Sequence, residues 1–299
     1  SGNFLFTFRL TAITSFQAFF ANLNMNTTYL LPREASHNLK LINKYQVSQI
    51  TAAPNHILEL LGLIERSGNL TDSVKKVIVG GSKLSEDLSQ RIERVLGAEL
   101  VNAYGSTEAG WVSSRMGYSG DSSNLGEITN GVTVKIFDEA HNELPSTEAG
   151  LIGVKSNQCV SGYYLDPITT EKQFNNGWFF SGDIGRVLNG NQLFLEGRID
   201  ERINSGGVKI DPSLIENFII GKFKINDAGG FSFPGERGIE LFGLALVSDN
   251  ALNIDEILEF SKKEFGAKAP LVIIQIENIP RNEQGKIQRD KLKEKYFKI

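Results

Sequence analysis

Residues 98–110 read AELVNAYGSTEAG. A short apolar run ends in a Tyr104-Gly105 turn and then shows Ser106, Thr107 and Glu108 in succession. A Thr hydroxyl beside a carboxylate suits a phosphate oxygen and its magnesium ion, because hard cations take oxygen ligands. The same residues also suit a surface turn with an N-capped helix behind it. Ser106 and Thr107 are good caps, and Glu108 belongs in a first helical turn. On these residues alone both readings stand.

Working outward, KKVIVGG (75–81) is a short apolar strand ending in two glycines. SEDLSQRIERVLG (85–97) follows as an amphipathic helix, with Ser85 as its cap, Glu86 and Asp87 in its first turn and Gly97 as its stop. Further upstream, residues 38–66 suggest a helix, a short strand, a break at Pro54 and a second helix. Strand and helix alternating in this way predict a parallel sheet flanked by helices. After about residue 125 the pattern turns antiparallel. VTVKIFDEAHNELP alternates with period two, GLIGVKS follows, and Asn189-Gly190 is a hairpin signal between two strands. From residue 211 helix and strand alternate again on a smaller scale, closing on the basic helix RDKLKEKYFKI. The expected class is α/β: a larger N-terminal part with a helix-flanked sheet and an antiparallel β subdomain, plus a small α+β C-terminal domain.

Composition narrows the function classes. The 299 residues are 40% hydrophobic and 22% charged, as in an ordinary globular protein. A formal net charge of -4 gives no positive field to draw nucleic acid or anionic lipid. Cys159 stands alone, so no disulfide framework or cysteine-based metal site is expected, and a reducing cytoplasm is the default. His37, His56 and His141 lie far apart in no ligand spacing, which argues against zinc. The early apolar stretch FLFTFRLTAITSFQAFFANL is too polar for a membrane span.

Three further segments bear on chemistry. In NNGWFFSGDIGRV (175–187), Asp183 follows a glycine at the end of an aromatic strand. It could grip a vicinal diol such as a ribose, or bond its own turn. EGRIDERINSGGVKIDP (196–212) sets Arg198, Asp200, Glu201 and Arg202 before Ser205-Gly206-Gly207, which serves either a close ligand approach or a hairpin in a charged linker. IPRNEQGKIQRDKL (279–292) makes a loop with Pro280 and Gly285, from which Lys286 projects as a mobile point charge or a solvated helix start.

Taken in order and at these separations, the segments resemble the AMP-forming adenylating superfamily of acyl- and aryl-CoA synthetases, peptide-synthetase adenylation domains and luciferases. Tyr104-Gly105-Ser106-Thr107-Glu108 is similar to its Tyr-Gly-x-Thr-Glu segment. GYYLDPITTEKQFNNGWFFSGD resembles its Gly-Tyr to Gly-Asp segment, GRIDERINSGGVKIDP its hinge stretch, and PRNEQGKIQR its closing Gly-Lys motif. The likeness runs from about residue 30 to the end. It implies that ATP and Mg²⁺ activate a small carboxylic acid to an acyl-adenylate, which then passes to CoA. Partners would be these small molecules, with no nucleic acid and no membrane span.

The resemblance also implies roles. Asn102, Ala103, Tyr104 and Gly105 would contact the nucleotide, with Tyr104 stacked on adenine and Asn102 reading its amine. Thr107 would bind the α-phosphate and Glu108 the Mg²⁺. Asp183 would hold the ribose hydroxyls, with Arg198 nearby. Gly80, Gly81 and Ser82 would line the acyl and nucleotide pocket. Lys286 would bridge the attacking carboxylate and the ribose side. The large domain would cover 1–199 and the mobile small domain 200–299, with the hinge at about Asp200. Ser205, Gly206 and Gly207 would line the pantetheine path.

The chain also departs from the pattern. The family's Lys-containing, Ser/Thr/Gly-rich phosphate loop has no counterpart in these residues and would precede residue 1. At 9–16, RLTAITSF carries Ala12, Thr14 and Ser15 where many acid–CoA ligases show a histidine and glycines. Asn204 replaces a common lysine. The INSGG form and the short chain, with no carrier domain after KLKEKYFKI, favour a short ligase of the o-succinylbenzoate type. The rivals are an enzyme that loads a carrier protein and a nucleotide-binding pseudo-ligase without catalysis.

Overall fold

Short runs rich in Ile and Val alternate with amphipathic helices over the first hundred residues. In the computed structural model this alternation becomes a parallel sheet. The structure describes residues 2–7, 28–31, 34–68, 71–118, 120–235, 239–282 and 286–296. In chain order come β1 (Asn3–Phe6), β2 (Thr28–Leu30), α1 (Ala35–Tyr45), β3 (Gln49–Ala52), α2 (Pro54–Ser67), β4 (Lys76–Gly80), α3 (Glu86–Leu96) and β5 (Glu99–Ser106). The five strands pair in parallel in the order β2-β1-β3-β4-β5.

The helices begin and end where their sequence directs. Pro54 occupies the first turn of α2, where a missing N–H costs nothing. The Ser85 hydroxyl accepts from the Leu88 N–H at 3.2 Å, and Gly97 ends α3 in the left-handed region with φ 58°. Ile57, Leu60 and Leu61 of α2 and Ile92 of α3 pack on Ile50, Val77, Val79 and Leu100 of the strands. Full burial of each such side chain contributes about 1.5–3 kcal/mol.

The Ser106-Thr107-Glu108 stretch then departs from one of its two sequence readings. No helix follows it. Thr107–Ala109 is a tight turn, and β6 (Gly110–Met116) runs back antiparallel to β5. The Ser106 hydroxyl does cap, but it accepts from Ala109 N–H at 3.1 Å and so closes a turn. Gly105 makes the reversal feasible. A Cβ there would lie 2.1 Å from the Gly110 carbonyl oxygen, so only glycine lets the two strands approach this closely.

Through β6 the sheet continues into its antiparallel part. The further strands are β7 (Asn124–Ile128), β8 (Val132–Phe137), β9 (Glu143–Leu144) and β10 (Gly150–Ser156). Then come α4 (Pro167–Gln173), β11 (Phe174–Asn175), β12 (Trp178–Leu188) and β13 (Gln192–Arg198). From β5 the order runs β6-β7-β13-β12-β10-β8-β9. Asn189 and Gly190, both at positive φ (51° and 77°), form the turn between β12 and β13. Ile152, Val154, Phe179 and Leu193 form the core of this part.

The remaining elements are β14 (Ile203–Ser205), β15 (Val208–Ile210), α5 (Pro212–Phe223), β16 (Asp227–Pro234), β17 (Glu240–Val247), α6 (Ile254–Phe265), β18 (Val272–Gln275) and α7 (Arg289–Tyr296). β17 pairs antiparallel with β16 and parallel with β18. One face of this small sheet packs on Ile215, Ile219 and Ile257, and the other on Ile279 and Leu292. By internal packing the chain divides into two compact units. One holds Ser1–Ser181 with Gly185–Leu195, and the other holds Gly182–Ile184 with Glu196–Ile299. Among the described residues no helix is long and apolar enough to cross a membrane.

Candidate functional site

In an open sheet, ligands collect beyond the carboxyl ends of the parallel strands. In the first unit that edge carries many of the residues singled out from sequence. Gly80, the last residue of β4, lies opposite Ala103 of β5, and a Cβ on it would come 2.8 Å from the Ala103 carbonyl. Pairing of β4 with β5 therefore brings Gly80-Gly81-Ser82 beside Asn102-Ala103-Tyr104. Asn102 is buried, while Tyr104 is half-buried and packs against the antiparallel core. Thr107 is exposed on the turn beyond.

Glu108 is held more firmly than its place in a turn suggests. Its carbonyl accepts from Val160 N–H at 2.9 Å. The Tyr163 hydroxyl oxygen lies 2.7 Å from Glu108 Oε1 and 2.5 Å from the Gln173 side-chain oxygen. Burial, and then the hydrogen bond and charge of Glu108, push the Tyr163 phenol above its ordinary pKa, so it stays protonated and donates. Neither Tyr163 nor Gln173 stood out in the sequence. Tyr163 is 55 residues from Glu108, and its only signal was membership of the GYYLDPITTEKQF segment.

The second unit contains a different constellation. Asp183 is buried, and its Oδ1 accepts from Arg198 Nη1 at 2.9 Å. Arg198 also makes a two-pronged contact with Asp200, from Nε to Oδ1 and from Nη2 to Oδ2, each at 2.9 Å. Burial alone would lower the Arg198 pKa, but Asp200, Asp183 and Glu201 hold it above the usual range. Ser205-Gly206-Gly207 joins β14 to β15, with Gly206 and Gly207 both at positive φ (59° and 93°) in a two-residue hairpin. The Asn204 side-chain oxygen accepts from Gly207 N–H at 3.0 Å. Asn204, Gly206, Gly207, Ile239 and Glu240 line an open depression of about 340 Å³.

Lys286 is exposed. Its backbone N–H donates to the Asn282 side-chain oxygen at 2.9 Å, and a bridge between Arg281 and Ile287 closes the loop. Its positive charge acts on Asp200. Gly285 lies outside the described residues, as does the 9–16 stretch. Three residues beyond Lys286, Arg289 donates to Glu201 at 2.9 Å, to Glu216 at 2.5 Å and to the Gly230 carbonyl at 2.8 Å. This node was not recognised in the sequence either. It ties the lysine loop to the stretch that carries Asp200.

The donors suit a hard cation. No group of three His, Cys, Asp or Glu side chains converges among the described residues. A lone carboxylate such as Glu108 fits an ion that keeps waters and takes phosphate oxygens as its other ligands, as Mg²⁺ does.

The fold, a parallel sheet extended by antiparallel strands and followed by a small α+β unit, is that of adenylating ligases and synthetases of known structure. The chain superimposes on an amide bond synthetase from Marinactinospora thermotolerans with a TM-score of 0.87 and 20% identity, covering 99% of this chain and 62% of that one. It superimposes on the o-succinylbenzoate coenzyme A synthetase of Bacillus subtilis, solved with ATP and magnesium ion, with a TM-score of 0.81 and 23% identity, covering 98% of this chain and 61% of that one. Residues 4–164, more than half of the chain, match the model of the AMP-binding enzyme family. The chain belongs to that family, within the AMP-forming adenylating superfamily. A 4-coumarate–CoA ligase of Nicotiana tabacum is 28% identical over 273 residues, covering 86% of this chain and 50% of that protein. The chain thus spans about half the length of the curated relatives it matches.

Proposed function

We propose that this chain takes part in an AMP-forming acid–CoA ligase reaction. A carboxylate oxygen attacks the α-phosphorus of ATP, the bond to the β-phosphate breaks, and pyrophosphate leaves. The thiol of CoA then attacks the acyl carbon, and AMP leaves. The observation that carries the reading is the β5 edge. There one strand end and its hairpin turn present Asn102, Tyr104, Thr107 and Glu108 in the family's order, beside Gly80–Ser82.

In this reading Asn102, Ala103, Tyr104 and Gly105 bind the adenine, and Asp183 binds the ribose hydroxyls with Arg198 as its neutralising partner. Thr107 donates to the α-phosphate and Glu108 holds Mg²⁺. When bound, that ion offsets phosphate charge and orients the oxygens. Lys286 contributes fixed positive charge where negative charge moves onto the α-phosphate, and preorganised charge of this kind is usually the main source of transition-state stabilisation. Asp200 is the hinge between the half-reactions. Ser205, Gly206 and Gly207 line the path of the pantetheine arm, where small residues let a thin chain pass. The lone Cys159 suits work in the reducing cytoplasm.

The test is AMP release from ATP, Mg²⁺ and a mixed pool of carboxylates, with and without CoA. The expected result is AMP release that CoA stimulates. Release indifferent to CoA would reject CoA as acceptor and point to a carrier protein. Nucleotide binding without any AMP release would reject adenylation by this chain.

A further inference from the structure

We propose that Tyr163, itself oriented by Gln173, is a positioning residue that fixes the Glu108 carboxylate for its divalent cation. The inference rests on the reading of Glu108 as the ligand of Mg²⁺.

Glu108 sits in the three-residue turn Thr107–Ala109. Left alone, a glutamate there samples many rotamers, and ordering such a side chain carries an entropic cost. Here the cost falls on the fold instead of on metal binding. The backbone is tied through Val160 N–H to the Glu108 carbonyl, and the carboxylate through Tyr163 to Oε1.

Tyr163 is braced in turn. Its N–H donates to Thr170 Oγ1 at 2.8 Å, and Thr170 Oγ1 donates to the Asp166 carbonyl at 2.8 Å. Its ring meets Phe174 edge-on, with centroids 5.7 Å apart. The phenol has one proton and two neighbours. The proton goes to the carboxylate, the charge-assisted acceptor. As placed, Gln173 turns its side-chain oxygen to the phenol oxygen at 2.5 Å, and a half-turn that interchanges the two ends of the amide lets its NH₂ donate there instead. The resulting chain runs one way, from the Gln173 amide to the Tyr163 hydroxyl to Glu108 Oε1. It engages one carboxylate oxygen and leaves Oε2 without a protein donor among the described residues.

This arrangement matches what a metal-binding carboxylate needs. Ligating carboxylates are themselves hydrogen-bonded, and loss of the outer partner lowers metal affinity about 10- to 100-fold. A bond that only pins the loop would affect stability and nothing else.

The experiment measures the affinity of the chain for α,β-methylene-ATP by calorimetry, with Mn²⁺ and with EDTA. Mn²⁺ stands in for Mg²⁺ because both take oxygen ligands. Tyr163→Phe should leave the metal-free affinity unchanged and reduce the Mn²⁺-dependent enhancement about 10- to 100-fold. Gln173→Leu, on the half-buried end of α4, should shift it the same way by a smaller factor. It keeps the test open if Tyr163→Phe fails to fold by circular dichroism. Glu108→Gln separates the ligand role from the positioning role. If it abolishes the enhancement while Tyr163→Phe and Gln173→Leu keep it in full, the positioning role is overturned and the Glu108 reading survives. If Glu108→Gln keeps the enhancement, or the unaltered chain shows none, the Glu108 reading falls and this inference falls with it.

Discussion

Asp200 stays ionised in a setting that opposes it. Burial pushes its carboxyl up, but the paired hydrogen bonds from Arg198, the Arg198 charge and the more distant Lys286 ammonium hold it below the usual carboxylate range. A depressed carboxyl stabilises the fold above its unfolded value of about 3.9, and the contribution disappears as pH falls through the still lower folded value. Asp200→Asn should therefore be less stable than the parent at pH 6, and the two should converge as pH falls through the folded value, read in denaturant titrations. A gap that stays constant with pH would contradict the pairing. At Lys286 the expectation is a split between half-reactions. Lys286→Ala should slow adenylation about 10²- to 10³-fold, by analogy with loss of other electrostatic stabilisers, and spare thioester formation from supplied acyl-adenylate. Equal loss of both steps would sink the assignment of Lys286 to the first.

At the scale of elements, the hairpin of β5 and β6 turns a parallel sheet into an antiparallel one, and it depends on Gly105. Gly105→Ala would force a methyl against the Gly110 carbonyl. The expected cost is about 1–3 kcal/mol from overpacking, read as a lower denaturant midpoint with nucleotide affinity reduced as well. Unchanged stability and affinity would show that the turn has room the structure does not display. The helices here were largely legible in advance, because Ser85, Pro54 and Gly97 act locally, within one turn of their own positions. β16 was not. Its DAGGFSFP carries two adjacent glycines, which local propensity disfavours in a strand, yet Gly229 and Gly230 lie within one. A Cβ on Gly229 would meet Leu292 at 2.7 Å, and one on Gly230 would meet both Phe242 and Pro212 at 2.7 Å, too close without a shift. That demand comes from distant residues and leaves no trace in the local pattern. The hydroxyls of 106–107 left two readings open for the opposite reason. Capping chemistry is the same in a turn and at a helix start, and only the close approach of β6 decides between them.

At the scale of the whole chain, both the family and the order of its motifs could be read from the sequence. The supports of those motifs could not. Tyr163 and Gln173 reach Glu108, and Arg289 reaches Glu201 and Glu216, across long separations that periodicity does not encode. Under the proposed function, the β5 edge and Asp183 both serve an adenosine nucleotide. The most direct measurement is equilibrium binding of AMP and GMP to the chain and to its Asp183→Ala variant. The expected result is saturable AMP binding, weaker GMP binding, and AMP affinity at least about tenfold lower in the variant, as loss of hydrogen bonds to a charged group entails. No saturable binding, equal binding of AMP and GMP, or an unaffected variant would contradict it.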